Sequence, residues 1–189
     1  MRDINRRAFL KAIGMGTAAL AFPECISASQ QVAGKGKRPN ILFLFTDDQR
    51  FSTLNALNNP DVRTPNMDKL VRSGTSFTHA YIMGSMSGAV CMPSRAMLMT
   101  GRTLFHLRGT GGTIPPEHVT LPEALRKVGY RTFGTGKWHN APPSYARSFT
   151  DGGNIFFGGM SNHLRVPVHD FDPTGKNPPD KRYIGKKFS

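Results

Sequence analysis

The hydrophobic residues of this 189-residue chain recur with spacings typical of strands and helices. Residues 41–45 are apolar without interruption, which predicts a strand buried on both faces of a parallel sheet. Residues 75–81 alternate well enough to predict a second strand, and residues 130–134 are the next predicted strand. From Asn140 onward prolines and glycines are frequent, so we expect loops with one short strand.

Three helices are predicted from the signals at their ends. Residues 64–74 open with threonine and proline and close with glycine, as a helix with an N-cap and a C-terminal stop does. A second helix should cover residues 94–100, and a third should follow the capping-box spacing of Thr120 and Glu123 as far as residue 129. Because strands and helices alternate, we predict an α/β fold with a doubly wound, mostly parallel sheet.

The N-terminal residues have the composition of a targeting segment. Arg6 and Arg7 lie in a run close to a twin-arginine export motif, and an uncharged, moderately apolar stretch follows at residues 12–22. That stretch is shorter than the roughly 20 residues of a membrane span, so we expect no stable span. We predict a cleavable signal peptide at residues 1–30, with export by the twin-arginine machinery to the periplasm or the medium. Residues 31–38 are then a basic, flexible spacer.

The formal net charge is +13, of which the first 38 residues carry +5 and the rest +8. A basic balance is compatible with nucleic acid, an acidic lipid surface or an anionic small substrate. The basic residues are dispersed and no nucleic-acid-binding motif occurs, so we expect no nucleic-acid partner. The charge fits sulfated, anionic substrates better, although part of it belongs to an ordinary solvated surface.

Cys91 is the cysteine of interest, because the other one, Cys25, lies within the predicted signal peptide. A single thiol in the mature protein has no intramolecular disulfide partner and is most often a small buried hydrophobic group. Cys91 also lies just ahead of a predicted helix, whose free N–H groups and dipole favour an anion. Arg95 follows one turn later and should face the same site, unless it is a helix-surface arginine.

Two adjacent carboxylates, Asp47 and Asp48, follow the predicted strand at residues 41–45. In open α/β sheets, ligands bind beyond the carboxyl ends of the strands. Adjacent carboxylates repel each other unless a cation or hydrogen bonds compensate, and oxygen-only ligands favour Ca²⁺ or Mg²⁺ over zinc. The alternative is a turn with a helix-capping aspartate, which explains one of the two residues but not readily both.

Residues 91–95, Cys-Met-Pro-Ser-Arg, with Thr-Gly-Arg at 100–102, resemble the signature of the type I, formylglycine-dependent sulfatases of the alkaline-phosphatase-like superfamily. Residues 129–139, which end in Gly-Lys-Trp-His, resemble the second signature of that family. Together with the acidic pair, these blocks occur in the family's order, and the resemblance spans about residues 38–170. Residues 140–141, Asn-Ala, replace the Leu-Gly that is frequent there, which indicates a subfamily with a different pocket wall.

The resemblance implies a role for each of four residues. Cys91 would be oxidised by a formylglycine-generating maturation enzyme to 3-oxoalanine (formylglycine), whose hydrated aldehyde is the catalytic nucleophile. Arg95 would hydrogen-bond the hydrate and metal-bound oxygens. Lys137 would contact the sulfate and the hydrate, and His139 would hydrogen-bond the formylglycine hydroxyl as a candidate acid or base.

The resemblance also implies a bound calcium ion, with magnesium less favoured, held by Asp47, Asp48 and the modified Cys91. The family's second pair of metal ligands and a further sulfate-binding lysine and histidine lie far downstream, and this sequence offers no candidate for them. We therefore expect residues 39–189 to be the N-terminal part of a sulfatase catalytic domain.

The function that follows from the resemblance is that of an exported, calcium-dependent sulfatase that hydrolyses sulfate esters, with sulfated carbohydrate as the expected substrate class. One alternative is a phosphonate monoester or phosphodiester hydrolase of the same superfamily, because sulfate and phosphate esters present similar oxygens to a metal. The other is an inactive, truncated remnant that at most binds sulfate esters.

Overall fold

The computed structural model describes residues 38–85, 90–107, 109 and 111–185, which fall in two compact units, residues 1–45 and 46–189. The predicted signal peptide and all but the last residue of the predicted spacer lie outside the described residues. Within the described residues, no helix is both long enough and apolar enough to cross a membrane.

The described part of the first unit, residues 38–45, is neither helix nor strand. Its apolar side chains are exposed, from 41% at Phe45 to 83% at Leu42. The rings of Phe43 and Phe45 stack with their centroids 6.1 Å apart. The strand predicted at residues 41–45 is therefore not formed. A buried strand needs hydrogen-bonding neighbours, which an apolar run does not itself supply.

The second unit combines helices, short strands and 3₁₀ turns. Its described helices are α1 (Pro65–Ser73), α2 (Cys91–Thr100), α3 (Leu121–Lys127) and α4 (Pro142–Ser148). Its described strands are β1 (Phe133–Lys137), β2 (Asp151–Phe156), β3 (Pro167–Val168) and β4 (Tyr183–Ile184). The 3₁₀ turns are Phe51–Thr53, Asn55–Leu57, Leu104–His106 and Pro179–Lys181.

The three predicted helices all form. Helix α1 begins at Pro65 as predicted, although the hydroxyl of Thr64 donates to Asp68 Oδ1 (2.8 Å) and does not cap the backbone. Helix α2 ends where Gly101 takes the left-handed conformation, at φ 64°. It begins at Cys91 and not at residue 94. Cys91 is therefore the first residue of the helix and not a loop residue ahead of it.

The capping box predicted for α3 is present. Thr120 N–H donates to Glu123 Oε2 (2.8 Å), and Glu123 N–H donates to Thr120 Oγ1 (3.4 Å). Arg147 in α4 binds the same carboxylate (2.5 Å) and donates to three carbonyl groups in residues 114–118 at 3.0–3.2 Å. This one arginine thereby joins α3, α4 and the loop that precedes α3.

Strands β1 and β2 pair in parallel, and β3 and β4 pair antiparallel. An antiparallel bridge joins Ile155, in β2, to His169, the residue after β3. Three expectations were wrong in detail. Residues 75–81 form no strand, β1 begins at residue 133 and not at 130, and the predicted loop after Asn140 contains α4 and β2. Pro142 does not interrupt α4, because a proline in the first helical turn lacks only an N–H that has no intrahelical partner.

Tyr145 lies at the centre of the core, whose buried members are Ala96, Leu107, Ile114, Trp138, Tyr145 and Ile155. Its ring meets that of Trp138 edge to face, with centroids 5.4 Å apart, and its hydroxyl donates to Gly134 O (2.8 Å). Burial raises the pKa of Tyr145, so the phenol stays protonated as this donor. Gly134 and Gly152 face each other across β1 and β2, and a Cβ on either would collide with the Tyr145 hydroxyl. The two glycines are therefore needed so that α4 can pack on the strands.

We expect Gly152→Ala to lower the free energy of unfolding by about 1–3 kcal/mol, because overpacking at the Tyr145 hydroxyl forces the strand or the ring to move. Gly153→Ala is the matched control, since a Cβ there would lie 3.6 Å from Asp170 Oδ1, an ordinary contact. Urea unfolding followed by tryptophan fluorescence measures both variants. Equal stabilities of the two variants would contradict this account of the packing.

The capping-box carboxylate should make stability depend on pH. Burial raises the pKa of Glu123, but hydrogen bonds from Thr120 and the Arg147 guanidinium outweigh burial and leave the pKa below its ordinary value of 4.5. The ionised form therefore stabilises the fold above that value, and the contribution is lost as pH falls through the folded-state pKa. We expect Glu123→Gln to be about 1–2 kcal/mol less stable than wild type at neutral pH. Urea titrations at decreasing pH should show this difference shrinking, and a difference independent of pH would refute the assignment.

Candidate active site

Cys91 is half-buried at the N-terminus of α2. The N-cap position, Val90, has helical φ and ψ and supplies no side-chain cap, so the first backbone N–H groups of the helix have no partner from a capping side chain. Such a helix end attracts negative charge through its free N–H groups and its dipole. A negatively charged group bound at residue 91 would therefore be stabilised by the helix itself.

Arg95 lies one turn further along α2 and is 7% exposed. Its Nη1 donates to the carbonyl oxygen of Lys137 (2.6 Å) and its Nη2 to Asp47 Oδ1 (3.4 Å). Lys137 is the last residue of β1, and its Nζ contacts Asp47 Oδ2 at 2.6 Å. One carboxylate thus joins the cation of a helix to the cation at the carboxyl end of a strand.

The charges around Asp47 favour its ionised form. Burial raises the pKa of this carboxyl, but the hydrogen bond and charge of Lys137, followed by the charge of Arg95, lower it more, so the net pKa is below the ordinary value. Asp47, Arg95 and Lys137 together carry one net positive charge. The cluster can therefore attract an anionic group, and its own two cations are held apart by a carboxylate between them.

His139 follows β1 by two residues and places its Nδ1 3.4 Å from Cys91 Sγ. Burial lowers the pKa of this imidazole, the charges of Lys137 and Arg95 lower it further, and Asp47 opposes them only in part. A neutral imidazole can accept a proton from a group at residue 91, which is the protonation state that a general base requires. The geometry thus pairs residue 91 with an acceptor.

The backbone that carries His139 is unusual. His139 and Ala141 both have φ 66°, in the left-handed region that side chains other than glycine disfavour. Trp138, which is 4% exposed, anchors this segment because its Nε1 donates to Ala141 O (3.1 Å) and Ser144 Oγ (2.9 Å). The strained turn is thus held by a buried aromatic residue.

Asp48 does not share the contacts of Asp47. Its backbone has φ 44°, its side chain is exposed, and no hydrogen bond or ion pair joins its carboxylate to another described residue. Both aspartates offer the hard oxygen donors that calcium prefers. Within the described residues, however, no group of three or more His, Cys, Asp or Glu residues could hold a metal ion. The pair fits calcium in the chemistry of its donors and supplies only part of the six to eight oxygens that calcium takes.

The structure brings together five of the six residues singled out from the sequence: Asp47, Cys91, Arg95, Lys137 and His139. It adds two contacts that the sequence did not indicate. The amide of Asn140 reaches the first turn of α2. Gly159 lies against the imidazole of His139, where a Cβ would stand 2.8 Å from Nε2. The glycine pair at 158–159 and the unusual residue after the histidine were the only signals of these contacts.

Comparison with known proteins relates nearly all of the described residues to one family. The family model described as Sulfatase matches residues 39–184. N-acetylglucosamine-6-O-sulfatase of Bacteroides thetaiotaomicron is 34% identical over 125 residues, 65% of this chain and 21% of that protein. N-acetylgalactosamine-6-sulfatase of Sus scrofa is 33% identical over 176 residues, 79% of this chain and 33% of that protein.

Arylsulfatase A of Homo sapiens is 38% identical over 109 residues, which are 53% of this chain and 21% of that protein. The chain thus spans about a fifth to a third of the length of these relatives. All three are named as sulfatases, two of them for a 6-sulfated amino sugar and one for an aryl sulfate. Because the family model covers well over half of the sequence, the chain belongs to the sulfatase family.

Proposed function

We propose that this chain forms part of the active site of a sulfuric ester hydrolase, with residue 91 as the reacting group. The observation that carries the proposal is the pairing of Cys91 Sγ with His139 Nδ1 at 3.4 Å beside the cation cluster of Asp47, Arg95 and Lys137. A sulfate ester is anionic and needs cations for its oxygens, a nucleophile and a proton acceptor. The described site offers all three: the cations Arg95 and Lys137, a reacting group at residue 91, and the imidazole of His139 as proton acceptor.

Formylglycine at residue 91 would supply a hydroxyl nucleophile where an unmodified cysteine supplies a thiol. The surroundings fit such a group, because the helix N-terminus favours negative charge at residue 91 and His139 lies within contact distance. Arg95 would hydrogen-bond the hydrate and metal-bound oxygens, and Lys137 would contact the sulfate and the hydrate. His139, neutral because its pKa is lowered, would accept a proton from a hydroxyl at residue 91.

Asp47 has two roles in this proposal. Its carboxylate fixes the positions of Arg95 and Lys137, and together with Asp48 it would supply oxygen ligands to a calcium ion, as would the modified residue 91. Calcium would supply additional positive charge for the sulfate oxygens. A protein of the relatives' length would have to supply the remaining ligands, since the described residues offer no cluster of three.

The substrate class that we infer is sulfated carbohydrate. Two of the relatives are named for removal of 6-sulfate from N-acetylglucosamine or N-acetylgalactosamine. The net charge of +8 on residues 39–189 favours an anionic substrate in the same direction.

We further infer that residues 39–189 belong to a doubly wound catalytic domain of the alkaline-phosphatase-like kind. The parallel β1–β2 pair, with α4 between the two strands in sequence, is a βαβ unit and supports that architecture. Residues 1–30 would direct export by the twin-arginine machinery to the periplasm or medium, and residues 31–38 would be a spacer. A formylglycine-generating enzyme would be the maturation partner, acting before export.

The proposal requires that residue 91 be converted. In cells that convert a control sulfatase, we expect the residue-91 peptide to carry an aldehyde that reacts with a hydrazide, detected by tandem mass spectrometry. Cys91→Ser is the matched control and should show no aldehyde in cells whose maturation enzyme acts on cysteine. A thiol that remains unchanged at residue 91 while the control sulfatase is converted would eliminate the formylglycine mechanism for this chain.

The proton acceptor can be tested separately from the nucleophile. We expect His139→Ala, in protein whose residue 91 is converted, to lower kcat for an aryl sulfate by about 100- to 10,000-fold. His106→Ala is the control, because that imidazole is exposed and bonds only to Thr103 Oγ1 among its described neighbours; its kcat should stay within about twofold of wild type. Steady-state kinetics measure both variants, and similar kcat values for the two would remove His139 from the mechanism.

A further inference from the structure

We propose that Asn140 is a positioning residue that fixes the distance between His139 and residue 91. The inference rests on the proposed function for its catalytic meaning, but its geometric part stands without that function. Asn140 directly follows His139, and its side chain is fully buried at 0% exposure. It therefore connects the strained turn after β1 to whatever its amide group contacts.

The amide of Asn140 contacts two separate segments. Nδ2 donates to the carbonyl oxygen of Met92 (2.9 Å), the residue after Cys91 in the first turn of α2. The same nitrogen donates to the carbonyl oxygen of Gly111 (2.5 Å). The –NH₂ group has two protons, and both are used. Cys91 and His139 are the two residues that must approach each other. Each is adjacent in sequence to one end of the Asn140–Met92 hydrogen bond.

Gly111 completes the link because it packs directly on α2. A Cβ at this glycine would lie 2.8 Å from Pro93 Cα, and its φ of 79° is in the left-handed region. The backbone of residue 111 therefore lies against the first turn of the helix with no side chain between them. Asn140 holds this backbone and the helix turn at once, so that the start of α2 cannot move relative to the turn after β1 without breaking a buried hydrogen bond.

The rest of the side chain explains why an amide is required. Asn140 Oδ1 is buried and has no hydrogen-bond partner among the described residues, and a buried acceptor without a partner is destabilising. Leucine has the same number of side-chain heavy atoms and the same branching, and it would avoid that penalty. The asparagine is therefore explained by its two donated bonds, which leucine cannot make.

Neighbouring contacts show that His139 needs such a support. Its backbone has φ 66°, so the turn does not favour this conformation on its own. On the far side of the ring, Gly159 leaves room for Nε2 but supplies no side chain to hold it. The main-chain oxygen of Asn140 accepts a hydrogen bond from Ser144 Oγ, which ties the same residue to α4.

The test compares Asn140→Leu with Ser148→Ala in the full chain with residue 91 unconverted. Ser148 is the matched control, because it is also fully buried and makes two hydrogen bonds, to Thr120 Oγ1 (2.8 Å) and Ser144 O (2.6 Å), but contacts neither Cys91 nor His139. Both variants should lose thermal stability. In NMR spectra, wild type and Ser148→Ala should show cross-relaxation between the Cys91 β-protons and the His139 ring, and Asn140→Leu should lose it.

The same variants in converted protein give the kinetic consequence. We expect Asn140→Leu to lower kcat about 10- to 100-fold with KM within about threefold, and Ser148→Ala to leave both near wild type. Retained cross-relaxation or an unchanged kcat in Asn140→Leu would overturn the proposal. If wild type hydrolyses no sulfate ester, the proposed function fails, whereas the cross-relaxation result still decides whether Asn140 sets the distance.

A measurement on wild type keeps the proposal testable if Asn140→Leu does not fold. Both side-chain amide protons of Asn140 should exchange with deuterium as slowly as core backbone amides, because each is buried in a hydrogen bond. Rapid exchange of these protons would show that the link opens readily and would contradict a positioning role.

Discussion

The carboxylate of Asp47 is the interaction on which the candidate site depends. Arg95 and Lys137 come from a helix and a strand far apart in sequence, and without a counter-charge their approach would be unfavourable. With Asp47 between them, the two cations share one carboxylate and leave one net positive charge. Burial lowers the pKa of His139, and the charges of Lys137 and Arg95 lower it further, so the cluster that attracts an anion also disfavours protonation of the neighbouring imidazole.

Next to this cluster, contacts between nearby residues stabilise the turn at residues 138–141, whose backbone conformation is intrinsically unfavourable. His139 and Ala141 are left-handed, yet Trp138, Asn140 and Ser144 bind the turn from both sides. Most of these contacts are buried hydrogen bonds, which are costly to break because the freed groups cannot reach water. These contacts restrain the backbone where residue 91 meets the imidazole. This agrees with a reaction that needs a proton acceptor at a defined distance.

The sequence predicted best where the signal is local. The capping box of Thr120 and Glu123 and the glycine stop at Gly101 depend on a few consecutive residues, and both formed as expected. The resemblance of the two short signatures to those of the sulfatases implied that Arg95 and Lys137 share one site, and in the structure both side chains contact Asp47. The boundary of α2 was predicted less well, because the helix begins at Cys91 and not at residue 94.

The failures came from contacts that no local pattern contains. The apolar run at residues 41–45 predicts a buried strand only on the condition that neighbouring strands pair with it, and the run itself contains no information on that condition. The glycines of β2 look like loop signals, whereas the structure uses Gly152 to admit the Tyr145 ring, a contact made across the fold. The two bonds of Asn140 join segments about 30 and 50 residues away. Its departure from the usual leucine was visible, but its partners were not.

We infer that this arrangement of charges and proton acceptor takes part in the hydrolysis of sulfate esters. It is tested most directly by kcat/KM for matched aryl sulfate and aryl phosphate diester substrates, measured on protein whose residue 91 has been verified as formylglycine. The account predicts measurable sulfate release and a higher kcat/KM for the sulfate ester. Preferential hydrolysis of the phosphate diester, or hydrolysis of neither by fully converted protein, would contradict it.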